Sequence, residues 1–136
     1  QAAASLLGFA RTGYANLCRL ITLARRDQQK GFAALPWRLL ANHHEGLIAL
    51  SGAQAGPVGQ ALVQGDEARA HEAALQLAGL FAHRFYIELQ RAGRSGDELH
   101  VAAAVQLAAR MRLPVVATHA VQFTAPDDFE AHEARV

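Results

Sequence analysis

The sequence predicts an α/β fold in which a parallel sheet is covered by helices. Two observations carry this. Short apolar runs that read as strands, in "EGLIALSG", "RFYIELQ" and "VVATHAVQF", are separated by stretches with helical spacing of apolar residues. Strand, helix, strand, helix, strand is a βαβ order, and parallel strands require crossovers of this length. The composition agrees: hydrophobic residues make up 51% and charged residues 18%, as in a chain that builds a core.

The elements follow in order. A helix is predicted from Tyr14 to Arg26, with Tyr14, Leu17, Leu20, Ile21 and Ala24 on its apolar face and Gly13 before it. "RRDQQKG" is a polar loop closed by Gly31. Pro36 suits the first turn of a short helix ending at Asn42. Gly46 and Gly52 bracket a buried strand. After Pro57 a short helix carries Val58, Ala61 and Leu62 until Gly65. Asp66 then caps a long helix reaching Ala82, with Ala70, Ala74, Leu77, Ala78 and Phe81 as its stripe. In the second strand Phe85, Ile87 and Leu89 share one face and Tyr86, Glu88 and Gln90 the other. A helix from Asp97 to Met111 is expected to bury Val101, Ala104, Val105 and Ala108. Pro114 opens the third strand, and Asp127, with Glu130 in a capping box, starts a last helix.

Composition also excludes. The chain has 136 residues, enough for one small domain or a piece of a larger one. A net charge of +1 predicts no large field drawing in nucleic acid or an anionic membrane. Cys18 is the only cysteine, so neither an internal disulfide nor a cysteine-based zinc cluster can form, and a reducing, cytoplasmic location is expected. No apolar run reaches the length of a membrane span. The first residues lack a signal peptide and the last read as a helix cut in mid-course, so a fragment is expected.

In parallel sheets the chemistry sits at the C-terminal strand ends. Those ends are Ser51–Ala53, Glu88–Gln90 and Thr118–Gln122. Alternation puts Val116, Thr118, Ala120 and Gln122 on one face and His119 on the other. Alanine cannot ligate a metal, and an amide is a poor ligand for a transition metal. Glu88 is a single carboxylate, more often tied to a backbone N–H or an arginine than acting as a base. His119 alone is more often structural than a ligand. His43 and His44 lie at a helix end, and His71, His83, His100 and His132 are read as solvated. No HExxH, GxSxG, phosphate loop or dinucleotide fingerprint is present.

The segments "GYANLCRLITLA", "EGLIALSGAQAGPVGQAL", "RFYIELQRAG", "AAVQLAARMRLPVVATHAVQF" and "PDDFEAHEARV" together resemble the PHP domain of bacterial DNA polymerase III α subunits, the replicative type of proteobacteria above all. An error-prone paralogue shares part of the pattern. The resemblance implies a distorted β/α, TIM-like barrel at the N-terminal end of a longer polymerase, with residues 1–136 as its C-terminal half. Members with an intact metal site carry an upstream His-x-His segment. They have Cys at the position of Ala53, Asn at His119, Asp at Ala120 and His at Gln122. The resemblance therefore implies no catalytic residue and no metal ligand in this segment, with Glu88 and His119 left as strand-end polar contacts.

On that view the module is degenerate and non-catalytic. It needs no cofactor of its own, although the parent DNA-directed DNA polymerase, a nucleotidyltransferase, is expected to use Mg. It supports the polymerase domains and docks the proofreading exonuclease subunit. DNA is reached through the parent rather than this segment, and no membrane is involved. The alternative is a metal-dependent phosphoesterase with altered ligands. Loss of anionic and imidazole ligands disfavours it, because metal affinity depends on them.

Overall fold

The computed structural model describes residues 3–26, 35–119, 121, 125 and 133–134. Four strands form one mixed sheet in the order β1 (Ser5–Gly8), β2 (Leu47–Leu50), β3 (Phe85–Leu89) and β4 (Val115–Ala117). Five helices join them: α1 (Ala10–Arg26), α2 (Trp37–Asn42), α3 (Pro57–Val63), α4 (Glu67–Leu80) and α5 (Asp97–Met111). A 3-10 turn at Ala53–Ala55 follows β2.

The βαβ core is as expected. β2 pairs parallel with β3 through Ala49↔Phe85, and β3 pairs parallel with β4 through Ile87↔Val115. β1 departs from the expectation of a purely parallel sheet. It runs antiparallel to β2, with Leu6 opposite Ala49 and Leu7 opposite Ile48. A four-residue strand that ends at Gly8 is too short to show a period of two, so only its partner defines it. Of the predicted run to Phe123, β4 covers Val115–Ala117; Thr118, His119 and Val121 are not in the strand, and residues 120, 122 and 123 lie outside the described residues.

One face of the sheet holds the core. Leu47, Ala49, Phe85 and Ile87 are almost fully buried and cluster with Leu20, Val58, Leu62, Ala70, Ala74, Leu77, Ala104 and Leu107 from the helices. Small alanines on α3, α4 and α5 let α3 pack closely against α4 and α5, and α5 against β3. Asp66 caps α4 as predicted, its carboxylate accepting the Arg69 N–H at 3.0 Å. The alternate strand residues face the other way, where Ile48 and Tyr86 are half-buried and Leu7 is 52% exposed. Among the described residues the sheet is open, with β1 and β4 at its edges.

Two helices are rotated from their predicted orientation. In α1 the buried residues are Gly13 and Leu20, with Leu17 and Ala24 partly covered, whereas Tyr14 is 70% and Ile21 49% exposed. Gly13 is the cause. A Cβ there would lie 1.9 Å from the Gly46 carbonyl oxygen, so the helix meets the β2 approach loop backbone to backbone and turns its larger side chains away. In α5 the buried stripe is Asp97, His100, Ala104, Leu107 and Ala108, and Val105 is exposed. His100, read as solvated, is 1% exposed. Asp127, Glu130 and the last predicted helix, apart from the helical residues 133–134, lie outside the described residues.

At the opposite end of the strands, Arg84 ties the sheet to its entry loop. Its guanidinium donates to the His44 carbonyl at 2.9 Å and to the Leu47 carbonyl, and it lies 5.8 Å from the Phe81 ring centre. His44 is therefore held by a neighbour rather than only by a helix end. No helix among the described residues is long and apolar enough to cross a membrane.

Candidate functional site

The C-terminal ends of β2, β3 and β4 converge on Glu88. Its side chain is on the sheet face opposite the helical core, and the residue is only 4% exposed. One carboxylate oxygen accepts the Gly52 N–H at 3.0 Å. The other accepts from the Gln90 amide at 3.1 Å and from the Thr118 hydroxyl. Gln90 also donates to Thr118 Oγ1 at 2.9 Å, and the Glu88 N–H donates to Ser51 Oγ at 2.8 Å. The polar residues thus form a closed clamp between three strand ends, with both carboxylate oxygens engaged.

The local sequence explains the clamp. Parity puts Glu88 and Thr118 on one face, because Glu88 pairs with Val116 and Thr118 lies two residues further. Gly52, at φ 84, turns the chain after β2 so that its N–H points at the carboxylate. Ala53 follows at φ 47 and is 3% exposed. A residue with a Cβ in this left-handed region bears roughly 1–2 kcal/mol of strain. The position is buried beside the clamp and offers no donor atom.

A second polar group lies behind the first. Asp97 Oδ2 accepts the Ala92 N–H at 2.7 Å and the Arg94 N–H at 3.1 Å, and Oδ1 accepts from the Gln54 side chain. The Ala92 N–H, with the further donors, holds its carboxyl below the usual carboxylate range, against the opposing effect of burial. His100 lies one turn along α5. Burial pushes its imidazole below the ordinary histidine range, opposed by the charges of Asp97 and Glu88. Its Nδ1 is buried with no hydrogen-bond partner among the described residues.

Of the sequence-predicted residues, the structure brings Ala53 and Glu88 to this centre. His119 lies two residues beyond β4 and is exposed. Ala120 and Gln122 lie outside the described residues. Ser51, Gln54, Asp97, His100 and Thr118 complete the centre without having been singled out as a group. Their signal was available in part, since Asp97 and His100 continue the stripe of Ala104 and Leu107 backwards by whole turns.

Thr118 donates to the Glu88 carboxylate, and Ser51 Oγ accepts the Glu88 N–H. No group of three or more His, Cys, Asp or Glu that could hold a metal occurs among the described residues. A cleft of about 270 Å³ opens beside the clamp, bordered by Leu89, Gln90, Arg91, Val101, Ala117 and Thr118.

A family model for the PHP domain matches residues 2–92. The chain is 44% identical over 133 residues to DNA polymerase III subunit alpha of Pseudomonas aeruginosa, an alignment covering 97% of this chain and 11% of that protein. It is 46% identical over 128 residues to the protein of the same name from Neisseria meningitidis serogroup A, covering 91% and 11%. With the Escherichia coli K12 protein, also DNA polymerase III subunit alpha, identity is 41% over 138 residues, covering 97% and 12%. The chain thus spans about a tenth of the length of these curated relatives.

Proposed function

The chain belongs to the PHP domain family, and from that premise we propose that it is part of the PHP domain of a replicative DNA polymerase III α subunit, serving there as a non-catalytic module. In this reading the open sheet is an arc of a distorted β/α barrel completed by other parts of the parent protein. The module supports the neighbouring polymerase domains and docks the proofreading exonuclease subunit. Its own residues hold no cofactor; the Mg-dependent nucleotidyl transfer belongs to a different domain of the parent, in the cytoplasm.

One observation carries the reading. Glu88, the carboxylate at the strand-end centre, is spent on Gly52, Gln90 and Thr118, and its neighbour Ala53 has no atom that could ligate. The usual place for chemistry in such a sheet is occupied by a structural cross-link.

The test is elemental analysis of the complete α subunit after dialysis against a chelator. Less than about a tenth of an equivalent of zinc, manganese or iron is expected, with primer extension in added Mg unchanged. Stoichiometric metal that resists the chelator, together with phosphoesterase activity lost on its removal, would replace the non-catalytic reading with that of a working hydrolase. Docking is tested separately, by titrating the exonuclease subunit against α subunits with and without the PHP domain. Equal affinities would end that part of the proposal.

A further inference from the structure

Charge is divided unevenly along this chain. Residues 1–44 contain Arg11, Arg19, Arg25, Arg26, Lys30 and Arg38 against a single acid, Asp27. The remainder contains seven arginines against eleven acids. The net charge of +1 therefore conceals two opposed regions.

The basic region has a defined platform in α1, which carries four of these arginines and no acidic residue. The contact of Gly13 with Gly46, and a hydrogen bond of 2.9 Å from the Asn16 amide to the Glu45 carbonyl, fix which face turns inward. Arg11, Arg19, Arg25 and Arg26 are all exposed on the other side. At 1.5 Å per residue, Arg11 to Arg26 spans about 22 Å, the rise of roughly six base pairs of a duplex. Among the described residues none of the four takes part in an ion pair or a side-chain hydrogen bond; the pairs present are Arg91–Glu98 and Arg110–Glu67, elsewhere on the surface.

We infer that the outer face of α1 binds the phosphate backbone of duplex nucleic acid. The inference rests on the reading of the parent as a DNA polymerase, and it revises the expectation drawn from net charge. Four unpaired guanidiniums on a straight helix match a regular line of phosphates, which arginine binds in bidentate fashion. The layout also favours this occupant over an acidic polypeptide. Arginines and Thr22 straddle the middle of the exposed face, while the apolar Tyr14 and Ile21 lie to one side. Protein interfaces have the reverse order, apolar at the centre and charged at the rim.

The experiment compares the complete α subunit with its R11Q/R19Q/R26Q variant, using fluorescence anisotropy of a labelled primer–template at several salt concentrations. Weaker binding is expected, with the slope of log affinity against log salt shallower by about 2 to 3 units, near 0.9 for each phosphate that the variant no longer neutralises. The R11K/R19K/R26K variant should keep the slope. An unchanged slope in the glutamine variant overturns the inference. So does a loss of exonuclease-subunit binding with duplex binding intact, which would assign the face to a polypeptide. A wild-type subunit that binds duplex through these arginines but extends no primer would sink the polymerase reading and leave this one standing.

Discussion

Glu88 shows how much one side chain can hold. Replacing it with alanine leaves the Gly52 N–H, the Gln90 amide and the Thr118 hydroxyl without their acceptor; a fully buried donor left unsatisfied costs about 1–3 kcal/mol, and these partly buried ones cost less. Glu88→Gln keeps one acceptor oxygen, so it should cost less than Glu88→Ala. Denaturant midpoints of the two variants check the order; equal midpoints would mean that the clamp contributes nothing. His100 sets a dependence on pH. Its folded-state pKa lies below the ordinary histidine value of 6.5, so the unfolded chain binds the proton more tightly. Stability is therefore full above pH 6.5, declines as pH falls towards the lowered folded value, and levels off beneath it. Asp97, also lowered, adds its own loss only at pH below the ordinary carboxylate value of 3.8. His100→Gln should flatten the decline between about pH 7.5 and 5 in urea melts of the α subunit, and an unchanged decline would rule out His100 as its source. At this scale the sequence exposed Glu88 through its place at a strand end. It hid His100, because a helical stripe is sought among apolar residues and this one begins with an acid and an imidazole.

Among the elements, α1 depends on a residue that helix propensity disfavours. Gly13→Ala gains up to about 1 kcal/mol of helix propensity. The new Cβ would meet the Gly46 carbonyl oxygen at 1.9 Å, which no side-chain rotation can relieve. The backbone displacement should win, with a net loss of about 1–3 kcal/mol, the usual cost of overpacking. A melt of the α subunit carrying Gly13→Ala checks this, and a rise in stability would show that α1 sits further from the β2 loop. The same approach of backbones explains why periodicity misplaced the apolar face of α1. A helix that packs through glycine is turned by a close approach that hydrophobic spacing does not record. By contrast α4 was legible throughout, since its Asp66 cap and its alanine–leucine stripe are both local signals. β1 was not, because an edge strand of four residues is defined by hydrogen bonds to a distant partner.

For the molecule as a whole, one side is finished and the other is not. The helices bury Leu47, Ala49, Phe85 and Ile87, while on the opposite face Leu7, Ile48 and Tyr86 keep substantial exposure. Each large apolar group left in water forgoes on the order of 1.5–3 kcal/mol, against a total stability for a domain of about 5–15 kcal/mol. Among the described residues both edges of the sheet are open, which adds a route to association. Residues 1–136 expressed alone should show helical circular dichroism, a broad melt, binding of an apolar dye and concentration-dependent association. A sharp melt of a soluble monomer that binds no dye would mean that the second face closes without outside help. The βαβ order was readable because it repeats over many residues. The placement of β1 was not, since it arises only once the sheet exists.

The clamp around Glu88 also bears on timing. A cross-link of amide, hydroxyl and carboxylate arrives with the polypeptide, so these strand ends are joined as soon as the sheet assembles. No separate insertion step stands between synthesis and a finished clamp. Its components cannot be depleted by starvation or stripped by a competing binding protein. They are loosened by conditions that disturb the hydrogen bonds themselves, at whose centre Glu88 is 4% exposed.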